Sequence, residues 1–335
     1  MAAGAGSIPA HDGYRPARGV AVTFGGMSQT SNAPFRDDVV ALFPGQGSLS
    51  GGAGLAWRDS VHWDLVEQVS DAARLDVAHL LLDASTEEVI RTDRAQIGTF
   101  ALSLIGYREL LDLGVRPRYL LGHSLGEFSA LVASGLFTLD DGARLIGVRG
   151  AAMARAAAAH EGSMVALMGG DDGAREALSQ LEDVWVANIN GTGQIVVSGT
   201  RAGLDDLLSR HKELGWRRAT PLNVGGAFHS PLMASAQDEL DQALRSVTWG
   251  ATEATLISNV DGHVHTSAEE WRELLSRQLT SPVQFLSATL TLPETVVTTI
   301  EMPPGSVLTG LTKRIRDFAN QYAPTTLQEL QETAL

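Results

Sequence analysis

Among the residues able to do chemistry, the segment Gly122-His123-Ser124-Leu125-Gly126 stands out. A G-x-S-x-G pentapeptide set between a strand and a helix forms an elbow that projects the serine hydroxyl, and its glycines let the backbone fold tightly. The helix that follows offers backbone N–H groups to a developing oxyanion. The pentapeptide alone is a weak signal in a chain with 35 glycines, so its flanks must decide. They fit. Apolar Tyr119–Leu121 reads as a strand, and LGEFSALVAS reads as a helix from Leu125 to about Ser134.

A nucleophilic serine needs a base, and histidine is the usual one. Nine histidines are available. His11 lies in a terminal segment, and His62, His79, His160 and His211 sit on charged or helical stretches as surface residues. His123 adjoins the serine at a different angle. His263 and His265 share one face of an extended segment and read as loop residues, not metal ligands. His229, in NVGGAFHSPLM, follows a strand and a Gly-Gly loop and precedes a helix near Ser230. That is the loop mouth where a base for Ser124 would sit, so position makes His229 the best of the nine.

Composition narrows the classes. With 39 acidic and 25 basic residues the net charge is −14, against a nucleic-acid binder. The absence of cysteine excludes a disulfide framework, a thiolate metal site and a cysteine nucleophile, and it fits a cytoplasmic protein. No apolar run approaches the roughly 20 residues of a membrane helix. A chain of 335 residues, 44% hydrophobic, can bury a sizeable core as one large domain or two modest ones. Residues 1–36, rich in Gly, Ala, Pro and Ser, read as a flexible tail without a signal peptide. Their arginines resemble a transit peptide faintly, and Met27 offers a second start.

Around the elbow, DVVALFPGQGS reads as a buried strand entering a loop, followed by helices over 57–75, 86–92 and 95–113. Strand, helix, strand, helix implies a parallel sheet with crossover helices. Between 163 and 224 the order becomes β-α-β-β-α-β, with strands near 164–168, 184–190, 194–198 and 216–222 and helices over 172–181 and 201–214. That is the split βαβ unit. The expected fold class is therefore α/β. A large catalytic lobe spans 37–162 and 225–325, a small lobe spans 163–224, and 326–335 forms a C-terminal tail.

Several blocks together resemble the malonyl-CoA:acyl carrier protein transacylases and the related acyltransferase domains of polyketide synthases: LFPGQGS, TDRAQ, GHSLGEFSALVASG, RLIGVRGAAM, GAFHSPLM, SNVDG, RQLTSPVQF and VLTGLTKRI. The resemblance covers about residues 38–320. It implies an α/β-hydrolase-like lobe with an inserted ferredoxin-like lobe. It also implies ping-pong transfer of a malonyl group from coenzyme A to the phosphopantetheine thiol of an acyl carrier protein, with no bound cofactor or metal. In that reading Ser124 is the nucleophile and His229 its base. Gln46 and Leu125 supply the oxyanion-hole N–H groups, Arg149 clamps the malonyl carboxylate, Gln96 lines the acyl pocket, and the Gln278 carbonyl orients the histidine. From LIGVRGAAMAR alone Arg149 would read as a solvated helix residue. The partners implied are a carrier protein and a coenzyme A thioester, not nucleic acid or membrane, with the enzyme a monomer. Carrier proteins are typically acidic, so a local basic patch would be needed; Arg217, Arg218, Lys313 and Arg314 offer one.

The chain departs from the family pattern at Pro303-Pro304-Gly305, where Gly-Pro-Gly is usual, and at LSGGAGLAW after PGQGS. GAFHS is the form common in malonyl-selecting members. Two rival classes share the residues: a hydrolase clearing stalled acyl groups, which Arg149 disfavours, and a non-catalytic carrier-binding scaffold, which Ser124, His229, Arg149 and Gln46 together disfavour.

Overall fold

A computed structural model describes residues 33–333. The readings for residues 1–32, including the second start at Met27, lie outside the described residues. Ten strands are present among the described residues: β1 (Phe35–Phe43), β2 (Arg116–Gly122), β3 (Gly162–Met168), β4 (Val184–Gly191), β5 (Gln194–Thr200), β6 (Arg218–Pro221), β7 (Thr255–Ile257), β8 (Val264–His265), β9 (Thr298–Glu301) and β10 (Asn320–Tyr322). They make a mixed α/β molecule with two sheets. The larger runs β10-β9-β1-β2-β7-β8, parallel except for β8.

β1 shows why this sheet sits at the centre. Parallel sheets are covered on both faces, so their strands read as continuous apolar runs. Val39 to Phe43 are fully buried, and alternation along the strand divides them. Val39, Ala41 and Phe43 join the main core with Phe100 and Phe128, whereas Val40 and Leu42 pack on the other face with Phe285, Leu308 and Leu311. Phe43 and Gly122 are register partners at the ends of β1 and β2. The loops carrying Gln46 and Ser124 therefore leave adjacent strands at the carboxyl edge, where open α/β sheets bind ligands.

The smaller sheet is antiparallel in the order β4-β5-β3-β6. Helices Asp172–Ala177 and Arg201–Arg210 cross it, over a core of Val165, Leu167, Val197, Leu207 and Trp216. It is stitched to the larger lobe where β4 meets Val283: Ile189 N–H donates to the Val283 carbonyl at 2.9 Å, and Val283 N–H to the Ala187 carbonyl at 2.8 Å.

Four expectations need correction. Strand β1 begins at Phe35, so a tail ending at residue 36 cuts into it; Phe35 and Arg36 already pair with Arg116 and Pro117. Residues 326–335 are not simply a tail, because Leu327–Glu332 is a helix whose Leu330 is fully buried in the main core. The helix expected over 57–75 starts only at Leu65. Trp57, fully buried with its indole N–H on the Thr325 carbonyl, instead ends a 3-10 turn, Ala53–Trp57. His265 lies in β8, not a loop, and its Nε2 sits 2.9 Å from Asp261 Oδ2 with Glu270 beyond. That acidic neighbourhood comes from a turn and a helix start that spacing did not bring together. Among the described residues no group of three or more His, Asp or Glu side chains could hold a metal, and no helix is long and apolar enough to cross a membrane.

Candidate active site

Ser124 sits between β2 and the helix Leu125–Ala133 at φ 53°, ψ −106°, a conformation an L-residue adopts only under constraint. The two flanking glycines make it possible. A Cβ on Gly122 would stand 2.0 Å from the Gly126 carbonyl carbon, and one on Gly126 would stand 1.9 Å from the Phe43 carbonyl oxygen. Neither obstacle is a flexible side chain. Gly126→Ala is therefore expected to cost at least the ~3 kcal/mol at the upper end of overpacking. A denaturant midpoint near wild type would show that the elbow can relax.

Asn259 pins the bend from both sides. Its Oδ1 accepts from Ser124 N–H at 2.6 Å and its Nδ2 donates to the Gly122 carbonyl at 2.7 Å. Ser124 Oγ lies 2.7 Å from His229 Nε2. The imidazole is buried, and its Nδ1 faces the carbonyl oxygens of Gln278 at 3.0 Å and Ser281 at 3.2 Å. Carbonyls only accept, so Nδ1 carries the proton and Nε2 is left as the acceptor for the serine hydroxyl. Backbone carbonyls thus hold this imidazole where a triad would use a carboxylate. Burial, and then the charge of Arg149, push His229 down to about 3, so the resting ring is neutral.

Arg149 is not a solvated helix residue. It is 1% exposed on the helix Leu139–Ala159, its guanidinium 5.4 Å from the centre of the Phe128 ring. Gly150, whose Cβ would stand 3.0 Å from Asp93 Cα, lets this helix lie close against Thr92–Asp112, which carries Gln96. Arg149 Nη1 donates to Gln96 Oε1 at 2.6 Å, and Nη2 donates to Ser124 Oγ and Gln278 Oε1, both at 3.0 Å. Nε is buried without a hydrogen-bond partner. A buried cation with a spare N–H beside the nucleophile is a natural seat for an anionic group. Burial lowers its pKa to about 9, which leaves it charged at neutral pH.

Gln96 Nε2 donates to Gln46 Oε1 at 3.1 Å, joining the Pro-Gly-Gln-Gly loop to this cluster. The same loop abuts the elbow, since a Cβ on Gly45 would lie 3.1 Å from the His123 carbonyl oxygen. Leu125 opens the helix after the nucleophile. A cavity of about 370 Å³, lined in part by Trp185, Val186, His229, Pro231 and Pro282, opens beside the imidazole between the lobes. A separate one of about 500 Å³ lies between the small sheet and the helix Arg201–Arg210, away from Ser124.

Ser124, His229, Arg149, Gln46, Gln96, Leu125 and Gln278 therefore meet in one place. The four basic residues lie elsewhere, all exposed. Arg218 and Gln194 both pair with Met168 across the small sheet, and Arg314 Nη1 donates to Gln194 Oε1 at 2.9 Å. Arg217, Arg218 and Arg314 thus gather at one end of that sheet, with Lys313 next in the chain. Sequence reasoning missed Asn259 and Glu127. A single carboxylate within the apolar helix LGEFSALVA was the available signal for Glu127; Asn259 gave none outside the SNVDG block.

A strained serine on an α/β sheet edge, a neutral histidine accepting its proton and a buried arginine alongside define an enzyme of the serine-nucleophile acyl-transfer class. The model of the acyl transferase domain matches residues 40–328, and the chain belongs to that family, among the malonyl-CoA:acyl carrier protein transacylases. It is 37% identical over 296 residues to the malonyl CoA-acyl carrier protein transacylase of Bacillus subtilis, covering 83% of this chain and 90% of that one. The crystal structure of the Mycobacterium tuberculosis enzyme superposes with a TM-score of 0.82 at 36% identity, covering 88% of this chain and 98% of that one. A type II PKS acyl-carrier protein in complex with its malonyl-transacylase matches at TM-score 0.82 and 32% identity, with coverage of 88% and 98%.

Proposed function

We infer that this chain transfers a malonyl group from coenzyme A to the phosphopantetheine thiol of an acyl carrier protein through an acyl-enzyme on Ser124. The observation that carries the reading is the 2.7 Å approach of Ser124 Oγ to a neutral His229 beside the buried, partly uncommitted Arg149. His229 Nε2 takes the hydroxyl proton as Oγ attacks the thioester carbonyl. The tetrahedral oxyanion is held by the N–H groups of Gln46 and Leu125, each such donor worth about 3–4 kcal/mol. Collapse breaks the C–S bond, and His229 returns the proton to the departing coenzyme A thiolate. The carrier thiol then enters, gives its proton to His229 and attacks the ester; collapse restores Ser124–OH and leaves malonyl on the carrier.

Arg149 pairs with the distal carboxylate, its planar fork matching the two oxygens. That pairing also neutralises the charge that depresses His229, so the dicarboxylic substrate makes its own base stronger. Gln96 and Gln278 hold the guanidinium. Incubation with malonyl-CoA and a holo-carrier is expected to yield malonyl-carrier; free malonate as the main product would favour the hydrolase reading.

The large lobe is read as hydrolase-like and the small one as ferredoxin-like, bounded near 162 and 224. The βαββαβ succession and the order β4-β5-β3-β6 support the latter. The basic group at the end of the small sheet is proposed as the carrier's footing. Arg217→Glu is expected to raise the carrier's KM several-fold and leave the coenzyme A half-reaction intact, an effect that fades with salt as exposed charges are screened. Equal losses in both half-reactions would assign Arg217 a folding role instead.

A further inference from the structure

Glu127 is 1% exposed, in the first turn of the helix Leu125–Ala133, and none of the steps above uses it. Both its oxygens are committed. Oε1 accepts from Asn259 N–H at 2.6 Å, and Oε2 accepts from Gln278 Nε2 at 2.5 Å. Gln278 Nε2 also donates to the Ser124 carbonyl at 3.0 Å. These two acceptors decide which way the Gln278 amide points. Its NH₂ end must face Glu127 and Ser124, so its oxygen must face Arg149, where it accepts from Nη2.

We propose that Glu127 is a positioning residue that sets acyl selectivity: by fixing the sense of the Gln278 amide it holds the Arg149 guanidinium in the orientation that receives a carboxylate. The inference rests on the pairing of Arg149 with malonyl described above. The Asn259 N–H is fixed by the backbone, so an amide at position 127 must turn its one oxygen toward it. Its NH₂ then faces Gln278. Gln278 can answer only by flipping, and a flipped amide presents NH₂ to Arg149, donor against donor, and its oxygen to the Ser124 carbonyl. Arg149 loses one of its two amide supports and the Ser124 carbonyl loses a donor, while the Ser124 hydroxyl keeps its contact with His229 and the imidazole keeps the backbone carbonyls of Gln278 and Ser281. Only a substrate that uses the guanidinium feels the whole change.

Protonating Glu127 is the same change made by pH. Burial pushes this carboxyl up to about 7, opposed by Arg149 from the helix Leu139–Ala159 and reinforced by Asp261 from the loop after β7. His229 and His123 lie nearby; burial lowers both, His229 to about 3, which in the resting enzyme is below the pH range of the test.

The test offers equal malonyl-CoA and acetyl-CoA to the intact protein and reads the two acyl-enzymes on Ser124 by mass. Glu127→Gln is expected to lower the malonyl-to-acetyl ratio about tenfold, with Arg149→Ala as the reference for complete loss of selectivity. A Glu127→Gln ratio equal to wild type while Arg149→Ala shifts it overturns the role of Glu127 alone, including the case where both loadings fall in parallel. A ratio moved by neither substitution overturns the pairing with Arg149 and this inference with it. If Glu127→Gln does not fold, the wild-type ratio is measured from pH 5.5 to 8.5. The one free carboxylate of the malonyl thioester stays ionised throughout. The charge of Glu127 is lost as pH falls through about 7, so the ratio is expected to fall toward acid; a flat ratio overturns the proposal.

Discussion

Ser124→Ala is expected to abolish acyl loading: incubation with malonyl-CoA leaves the intact mass of the protein unchanged, and transfer to a carrier disappears with it. The effect is categorical because every step passes through a bond to this oxygen. The variant keeps Gly122 and Gly126, and the hydrogen bonds that Asn259 makes to the bend run through backbone atoms. The elbow should therefore survive, and the thermal midpoint should stay near wild type. His229→Ala is expected to slow loading by roughly 10²–10⁴-fold, the range for a lost general base. It should not abolish loading, because the oxyanion donors and Arg149 remain. Full transfer by a purified Ser124→Ala protein would end the covalent mechanism.

The elbow was readable because its physics is local. Two glycines bracket a serine, an apolar strand precedes and an apolar helix follows, and the clashes at Gly122 and Gly126 are with backbone atoms a few residues away or on the adjacent strand. The succession of elements in the small lobe was readable for the same reason, because hydrophobic alternation and turn residues mark each one. Arg149 was not. Its helix carries alanines and glycines on several sides, so periodicity assigns no buried face, and only its place in GVRGAAM singled it out. Burial of that arginine depends on Gly150 meeting Asp93, a contact between two helices made by residues more than fifty positions apart in the chain.

The order of the strands lies further still from the sequence. β1 sits between β2 and β9, so Leu42 lies 259 positions before its partner Glu301 in the chain. Nothing in either segment names the other. The terminal helix Leu327–Glu332 escaped for a different reason: six residues, mostly polar, hold one fully buried leucine, too short a pattern to show a period.

Arg149→Ala separates substrates instead of silencing the enzyme. A bound malonyl group would keep its distal carboxylate in a buried site without its partner. Truncating one side of such a pair costs about 2–5 kcal/mol, which is ~30- to several-thousand-fold in malonyl turnover. Acetyl-CoA has no second carboxylate and escapes that loss. It also gains, because the charge of Arg149 is the second cause of the depressed His229, and removing it makes the base stronger. Acetyl loading on Ser124 is therefore expected to be unchanged or faster, and the variant's preference passes from malonyl to acetyl. Arg149→Lys should recover only part of the malonyl rate. An ammonium restores the charge, but one point cannot hold Gln96, Gln278 and a carboxylate in the geometry of a planar fork. The measurement is kcat/KM for each acyl donor in the coenzyme A half-reaction, with the thermal midpoint as a control for folding. A proportional fall for both donors at an unchanged midpoint would make Arg149 a support for Ser124, to whose Oγ it already donates at 3.0 Å, and the dicarboxylic assignment would fall with it.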